Sequence, residues 1–418
     1  YMVSFLRSIR DKQEKGNHTL LSINLAAVHS LSLIHGFLYS RNLVKQIVNA
    51  LCVLSDASHV LFSSYEYQLV FFIKNPAGPD YVLSFARLVS KKVASFLREE
   101  RVGWGIGIVA FDDSPLEVCL TNLLVASEKG FAGFDEGQEI CMYGEAMQEE
   151  VRRRTVLEQE LAAFVKEEPL GTSTFYLQFQ PIWDVKTHMI TGFEALSRMY
   201  SHSLGTVSPV EFIEIAEKAK LIVPLGNVII AKALYFLSAL EREGFVHVGV
   251  SINISAIQLM HKDFMRDLMV AIERIQVNTA NITLEVTESV FISEFQQVND
   301  LFFQLQEKGI SISLDDFGTG YSTLSREREL NVNCLKIDKT FIDKLTTLHE
   351  KEAITADIIS MAHKLGHTVI AEGVEYEEQR AYLEKYGCDK IQGFLYNKPL
   401  DLDAALLLLK QTNQTENR

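Results

Sequence analysis

Asp315 and Asp316 stand side by side at the end of an apolar run, 310–314, and the loop Phe317-Gly318-Thr319-Gly320-Tyr321-Ser322 follows them. Neighbouring residues on a strand point to opposite faces, so both carboxylates reach one site only if the strand ends at the pair and the backbone turns there. Gly318 and Gly320 admit such a turn, because glycine takes backbone angles closed to other residues. Adjacent carboxylates repel one another unless positive charge lies between them, and a pair of divalent metal ions supplies it. The alternative, for this stretch alone, is a solvated Asp-Asp turn that starts a helix.

The elements that must position this pair decide between the two. Eight strand-like segments run through the second part of the chain, at 175–182, 189–195, 247–252, 282–286, 310–314, 334–337, 368–371 and 390–394. Helical patterns at 209–219, 226–243, 257–275, 292–308, 352–365 and 375–386 separate most of them. Eight strands with intervening helices predict an α/β fold of the TIM-type (β/α)8 barrel, with a doubly wound open sheet as the alternative. Along those strands Glu194 ends the second, Asn253 the third, Glu285 the fourth and Asp315-Asp316 the fifth. Lys336 lies near the end of the sixth, Glu372 and Glu375 follow the seventh, and Gln392 lies on the eighth. Barrel enzymes build their sites at the C-terminal strand ends, whereas a solvated set of side chains would be scattered.

The residue types point to a chemistry. Carboxylates with one amide oxygen, and neither Cys nor His, suit hard cations such as Mg2+ or Mn2+. Two such ions bridged by an aspartate activate a water and steady the leaving oxygen of a phosphoryl displacement. A lysine at the same rim orients the water or balances developing negative charge. The expectation is metal-dependent hydrolysis of a phosphate ester, with the substrate left open.

The whole chain bounds the setting. Its 418 residues suffice for two domains, and 47% hydrophobic with 22% charged residues is a globular composition. A net charge of -14 argues against a nucleic-acid polymer as partner. Cys52, Cys119, Cys141, Cys334 and Cys388 are odd in number and scattered, which predicts reduced thiols and a cytoplasmic location. No uninterrupted apolar run reaches spanning length, so no membrane segment is expected in this chain. The first residue is Tyr, and the expectation is an excerpt of a longer protein, with any upstream sensor or membrane segment out of view.

Residues 1–145 alternate strand-like segments (20–25, 60–62 with 67–73, 104–111) with helical ones (42–54, 81–97), which predicts one smaller α/β domain. The run Gly103-Trp104-Gly105-Ile106-Gly107 reads as close backbone packing in a strand, since no helix start follows it. The order of elements resembles the GGDEF domain of diguanylate cyclases. That family's hairpin signature falls at Ser63-Ser64-Tyr65-Glu66-Tyr67, where both glycines and the first acidic residue are replaced. Asn24-Leu25-Ala26 stands where the family places metal-binding aspartates, and its inhibitory Arg-x-x-Asp site is missing. The resemblance implies a degenerate, non-catalytic copy that regulates or dimerises; a ligand-free spacer is the alternative. Residues 146–170 read as a charged connecting helix with an apolar stripe at Val156, Leu157, Leu161 and Phe164.

Residues 171–418 closely resemble the EAL domain, the phosphodiesterase of cyclic di-GMP. The motifs are Gln180-Pro181-Ile182, Glu194-Ala195-Leu196-Ser197-Arg198, Ser251-Ile252-Asn253, Leu284-Glu285-Val286-Thr287-Glu288, Asp315-Asp316-Phe317-Gly318, Leu335-Lys336-Ile337-Asp338, Ala371-Glu372-Gly373-Val374-Glu375 and Gln392-Gly393-Phe394. The resemblance implies that Glu194, Asn253, Glu285 and Asp315 hold one Mg2+ or Mn2+ and that Asp315 and Asp316 hold a second. Glu372 would act near the second ion as general base, and Lys336 would contact the catalytic water. Gln180, Leu196, Arg198, Asp316, Glu375 and Gln392 would line the dinucleotide pocket, and Glu288 would anchor the loop after Asp316. The implied function is hydrolysis of cyclic di-GMP to linear pGpG in bacterial signalling, by a homodimer formed through this domain. Arg326-Glu327 replaces the aromatic and aliphatic residues usual at the family's dimer helix. That departure keeps a second reading open, a catalytically weak cyclic di-GMP receptor.

Overall fold

The computed structural model describes residues 1–11, 16–65, 67–131, 140–168, 170–291, 295–317, 330–346 and 353–416. They group into two units, Tyr1–Arg153 and Arg154–Arg418.

The first unit is built around β1 (His18–Asn24), whose apolar residues serve both faces of a sheet. Leu21 and Ile23 face one core, with Leu43 and Ile47 from a helix at Phe37–Cys52 and Val89 and Val93 from a helix at Pro79–Leu97. Leu20 faces the other, with Leu6 of the helix Met2–Asp11 and Leu123 of the helix Leu116–Lys129. β1 pairs antiparallel with β3 (Gln68–Ile73) and β4 (Gly105–Phe111). β2 (His59–Tyr65) and β5 (Ile140–Met142) complete the order β2-β3-β1-β4-β5. The glycines of β4 mark close packing, as the sequence suggests. A Cβ at Gly107 would lie 2.3 Å from the backbone nitrogen of Ser127, inside the helix that covers the strand. The helices at Met2–Asp11 and Leu116–Lys129, and β5, are additions that the sequence pattern did not single out.

The helix Glu145–Val165 carries the chain onward. Its Met147 belongs to the first unit's core, whereas Leu157, Leu161 and Phe164 are buried in the core of the second. It is therefore not a solvated rod over its second half.

The second unit is a closed eight-stranded barrel wrapped by helices. Its strands are β6 (Thr174–Asp184), β7 (Ile190–Ser201), β9 (Gly249–Asn253), β10 (Ile282–Thr287), β11 (Ser311–Phe317), β12 (Cys334–Ile337), β13 (Thr368–Ala371) and β14 (Lys390–Ile391). β8 (Gly205–Val207) lies outside the ring, against the end of β7. From β7 round to β14 every ring pairing is parallel, while β6 runs antiparallel to both its neighbours and closes the barrel. A hairpin rather than a helix joins β6 to β7, because antiparallel neighbours need no crossover.

Four local expectations change. Glu285 does not end the fourth strand, because β10 continues to Thr287. Glu194 does not end the second strand, because β7 continues to Ser201. Its ladder with β9 stops at Ala195, opposite Ile252, and beyond that point β7 is paired only with β6 and β8. The single helix expected at 257–275 is two, Ala256–Leu259 and Phe264–Ile275, interrupted where His261-Lys262-Asp263 breaks the apolar period. The eighth strand ends at Ile391, so Gln392 lies just beyond it. There the chain turns against the β13 loop: Gln392 N donates to Ala371 O, and a Cβ on Gly393 would lie 2.1 Å from Val374 O.

Among the described residues one helix, Ile222–Arg242, has the length and apolarity of a membrane span. Its Leu225, Ile229, Ala233, Phe236 and Leu240 are buried in the barrel core. Phe236 stacks on Phe179 of β6 at 3.6 Å between centroids and meets Phe193 of β7 edge-on at 5.4 Å. Phe236→Ala is expected to lower the barrel's stability by about 3–5 kcal/mol, read from its denaturant midpoint at unchanged slope.

Candidate active site

Lys336 points from β12 into the barrel and is fully buried. Its Nζ lies 2.5 Å from Glu372 Oε1 and 2.6 Å from Glu285 Oε2. Asp315 Oδ1 is 3.4 Å away and Glu194 Oε2 3.6 Å. Three strands and the end of a fourth thus deliver carboxylates to the one ammonium group that β12 supplies.

Asp315 and Asp316 reach the same place through a turn of the backbone at the pair itself. Gly318 and Gly320 lie outside the described residues, and the backbone already turns within the aspartate pair. The register of β11 against β12 slips between Leu314 and Phe317, and Asp316 takes φ +55°. A bulge with a left-handed residue defeats the strict alternation of a strand, and aspartate tolerates that region better than most. Asp316 N donates to Asp315 Oδ1 at 3.0 Å. One carboxylate oxygen from each of Asp315, Asp316 and Glu372 falls within 4.8 Å of the others, a spacing that can hold a cation.

Hydrogen bonds aim the remaining groups. Asn253 Nδ2 donates to Glu194 Oε1 at 2.7 Å, which leaves the amide oxygen of Asn253 outside that bond. Gln392 Nε2 donates to Glu194 Oε2 at 2.6 Å and to Gln180 Oε1 at 3.2 Å. Gln180 Nε2 in turn donates to Asn397 O at 3.3 Å. Glu285 Oε1 and Gln392 Oε1 are buried without a hydrogen-bond partner.

The charges do not balance. One ammonium faces the carboxylates of Glu194, Glu285, Asp315, Asp316 and Glu372. Burial opposes the charge on Lys336, but its four carboxylate neighbours outweigh that and hold its pKa well above the ordinary lysine value. Burial, with repulsion from Glu194, Asp315 and Glu372 outweighing Lys336, pushes Glu285 well above the carboxylate range. Burial pushes Glu372 up to about 7 against the pull of Lys336. Burial and then the neighbouring Asp315 raise Asp316. Glu194 goes the other way: burial opposes its charge, but Lys336 and the amides of Gln392 and Asn253 hold it below its usual value. Each raised carboxylate is a demand for further positive charge.

Beside the cluster, one face of the β6–β7 hairpin carries further polar side chains. Glu194, Leu196 and Arg198 alternate along β7 and stand opposite Gln180, Gln178 and Tyr176 of β6. Arg198 Nε donates to Gln178 Oε1 at 2.7 Å. Glu375 pairs with Lys339, whose Nζ lies 2.7 Å from its Oε1 and 3.2 Å from Asp343. Gln178, Tyr176 and Lys339 were not among the candidates. The alternation from Glu194 would have found the first two only with the hairpin pairing known. Glu288 is buried in the single turn Glu288–Phe291 after β10. The loop it was expected to anchor, and Arg326-Glu327, lie outside the described residues.

The family model of the EAL domain matches residues 166–399. This chain belongs to the EAL domain family. Signaling protein YkoW of Bacillus subtilis is 38% identical over 244 residues, which are 58% of this chain and 30% of that protein. The bifunctional diguanylate cyclase/cyclic di-GMP phosphodiesterase MucR of Pseudomonas aeruginosa is 28% identical over 345 residues, 82% of this chain and 49% of that protein. The chain thus spans between 30% and 49% of these relatives' length. A solved structure titled as the PaMucR phosphodiesterase in complex with c-di-GMP matches with TM-score 0.56 and 30% identity, over 60% of this chain and 99% of that one.

The EAL site's residues fit divalent cations on their own terms: all-oxygen donors, a buried oxygen of Glu285 with no partner, and carboxylates in excess of positive charge. Two outcomes are expected. Lys336→Met removes the ammonium that these carboxylates share and should cost about 3–5 kcal/mol in metal-free protein. Carboxylates raised in the folded state bind protons that the unfolded chain has released, so stability falls as pH rises between the two values. The gap in thermal midpoint between Lys336→Met and wild type should therefore widen from about pH 5 to about pH 8. Because Glu372 holds its proton up to about 7, cation affinity should strengthen as pH rises toward that value. Calorimetry in two buffers of different ionisation enthalpy should register the released proton.

Proposed function

We propose that this chain hydrolyses cyclic di-GMP to linear pGpG, using two Mg2+ or Mn2+ ions, and so lowers the second messenger in bacterial signalling. The observation that carries the reading is the convergence of Glu194, Glu285, Asp315 and Glu372 on the buried ammonium of Lys336. Glu194, Asn253, Glu285 and Asp315 would hold one ion, and Asp315 with Asp316 the other. When bound, the ions polarise the phosphodiester and lower the pKa of water.

The chain's own residues do the rest. Glu372 accepts the proton of the attacking water as general base. Lys336 stays protonated, fixes Glu372 through their contact and offsets the negative charge that develops on the phosphoryl oxygens. Arg198 offers donors to the anionic dinucleotide, Glu375 an acceptor, and Gln180, Leu196, Asp316 and Gln392 complete the pocket. Glu288 would steady the loop after Asp316.

The first unit, residues 1–145, is read as a GGDEF-like domain without cyclase activity, joined by the helix at 146–170 to the EAL domain at 171–418. The β2–β3 hairpin around Ser63, the strand order, and the reach of the MucR match beyond the barrel support this. Asn24 is spent on its own turn, accepting from Ala26 N at 2.9 Å. The fitting partner besides the nucleotide is a second copy through the EAL domain. The free cysteines agree with a cytoplasmic setting. Arg326-Glu327 favours the alternative of a receptor with little turnover.

Chromatography of cyclic di-GMP incubated with the protein separates the readings. Metal-dependent pGpG that a chelator abolishes is the expected result, and bound but unchanged substrate with either metal means a receptor. Glu194→Ala should cut turnover by about a thousandfold or more with the fold intact. GTP should yield no cyclic di-GMP.

A further inference from the structure

Beyond Ala195, β7 has left the barrel. The stretch to Ser201 is held by β6 on one side and, at its tip, by the three residues of β8 on the other. This arm carries Leu196 and Arg198. Its far end closes on a buried carboxylate that the proposed chemistry does not use. Glu160, on the helix Glu145–Val165, accepts from Ser173 Oγ at 2.9 Å and from Ser201 Oγ at 3.0 Å, both at Oε1. Ser173 immediately precedes β6 and Ser201 ends β7, so one oxygen ties both strands of the arm. The serines are themselves built in: Ser173 Oγ accepts from His202 N at 2.9 Å, and Ser201 Oγ from Leu204 N at 3.2 Å. Glu160, Ser173 and Ser201 are 4%, 3% and 0% exposed, and Glu160 Oε2 is buried without a hydrogen-bond partner. A leucine at this place would bury well at no such cost.

We infer that Glu160 is a positioning residue: it locks the arm that presents Leu196 and Arg198 to the helix through which the chain enters the barrel. On either side of it Leu157, Leu161 and Phe164 seat that helix in the barrel core, and Phe164 meets Phe175 of β6 at 5.9 Å. A turn or axial shift of the helix is therefore passed to the substrate face, while Glu194, Asn253 and Glu285 stay fixed by the barrel ladder. The substrate part of this inference rests on the phosphodiesterase reading above.

The test uses the full chain with Glu160→Ala, Glu160→Gln, Ser201→Ala and Arg198→Ala, read by amide hydrogen exchange and by turnover of cyclic di-GMP. In Glu160→Ala, exchange across 196–207 should quicken by about tenfold or more while β10 and β12 keep wild-type rates. KM should rise by about tenfold with kcat within about twofold of wild type, and Glu160→Gln, which keeps an acceptor oxygen, should recover most of the loss. Adding Glu160→Ala to Arg198→Ala should raise KM by clearly less than Glu160→Ala does alone, because part of its effect runs through Arg198. Unchanged exchange in the arm, an equal rise over the whole barrel, or additive effects on KM would overturn the inference. If Glu160→Ala does not fold, Ser201→Ala removes the β7 bond to Glu160 together with the one from Leu204 N, leaves the Ser173 bond in place, and carries the same readouts. A wild-type protein that leaves cyclic di-GMP intact defeats the proposed function, and the exchange data still decide whether Glu160 locks the arm.

Discussion

A single ammonium group buried among carboxylates sets the terms for the barrel. Lys336 has no exposure to water, and its charge is tolerable only because Glu285 and Glu372 lie at hydrogen-bond distance with Asp315 and Glu194 just beyond. The same carboxylates exceed what one lysine can neutralise. The site is thus held together by an ion pair and left short of positive charge at once, which is the condition of a cation site rather than of a finished salt-bridge core. The unpartnered oxygen of Glu285 expresses that shortage in one atom.

The barrel's departure from all-parallel pairing matters as much as its closure. An antiparallel first strand lets β6 and β7 form a long hairpin that outruns the ring. Inside the ring the hairpin contributes Glu194 and Gln180 to the charged cluster; outside it, the same face continues as Leu196 and Arg198. Rigid ladder and extended arm are therefore parts of one strand, with different freedom on either side of Ala195. A buried glutamate at the tip of that arm makes its position depend on the helix that enters the barrel.

The first unit is organised by helices on both faces of its sheet. β1 is apolar on both faces because helices cover both, and the glycines of β4 admit the covering helix at backbone distance. Asn24, at the end of β1, accepts from Ala26 N and so closes its own turn.

Much of the barrel could be read from the sequence because each parallel strand is a short, mostly apolar run with a polar residue at or near its end. That is the pattern of a strand buried on both faces that ends at a rim, and it brought out Asn253, Glu285, Asp315, Lys336 and Glu372 without knowledge of any contact. What the sequence by itself determined was the order of elements and the oxygen-rich donor set at their ends. Only the tertiary structure decided which strands pair, and in which direction. An alternating pattern is the same for parallel and antiparallel neighbours, so nothing local revealed that Glu194 sits mid-strand, that Gln178 and Tyr176 share its face, or that Ser173 and Ser201 meet at Glu160. Nor does a lysine in Leu335-Lys336-Ile337 announce its burial: that followed from four carboxylates arriving at one point along separate strands, a coincidence in space that no linear spacing encodes.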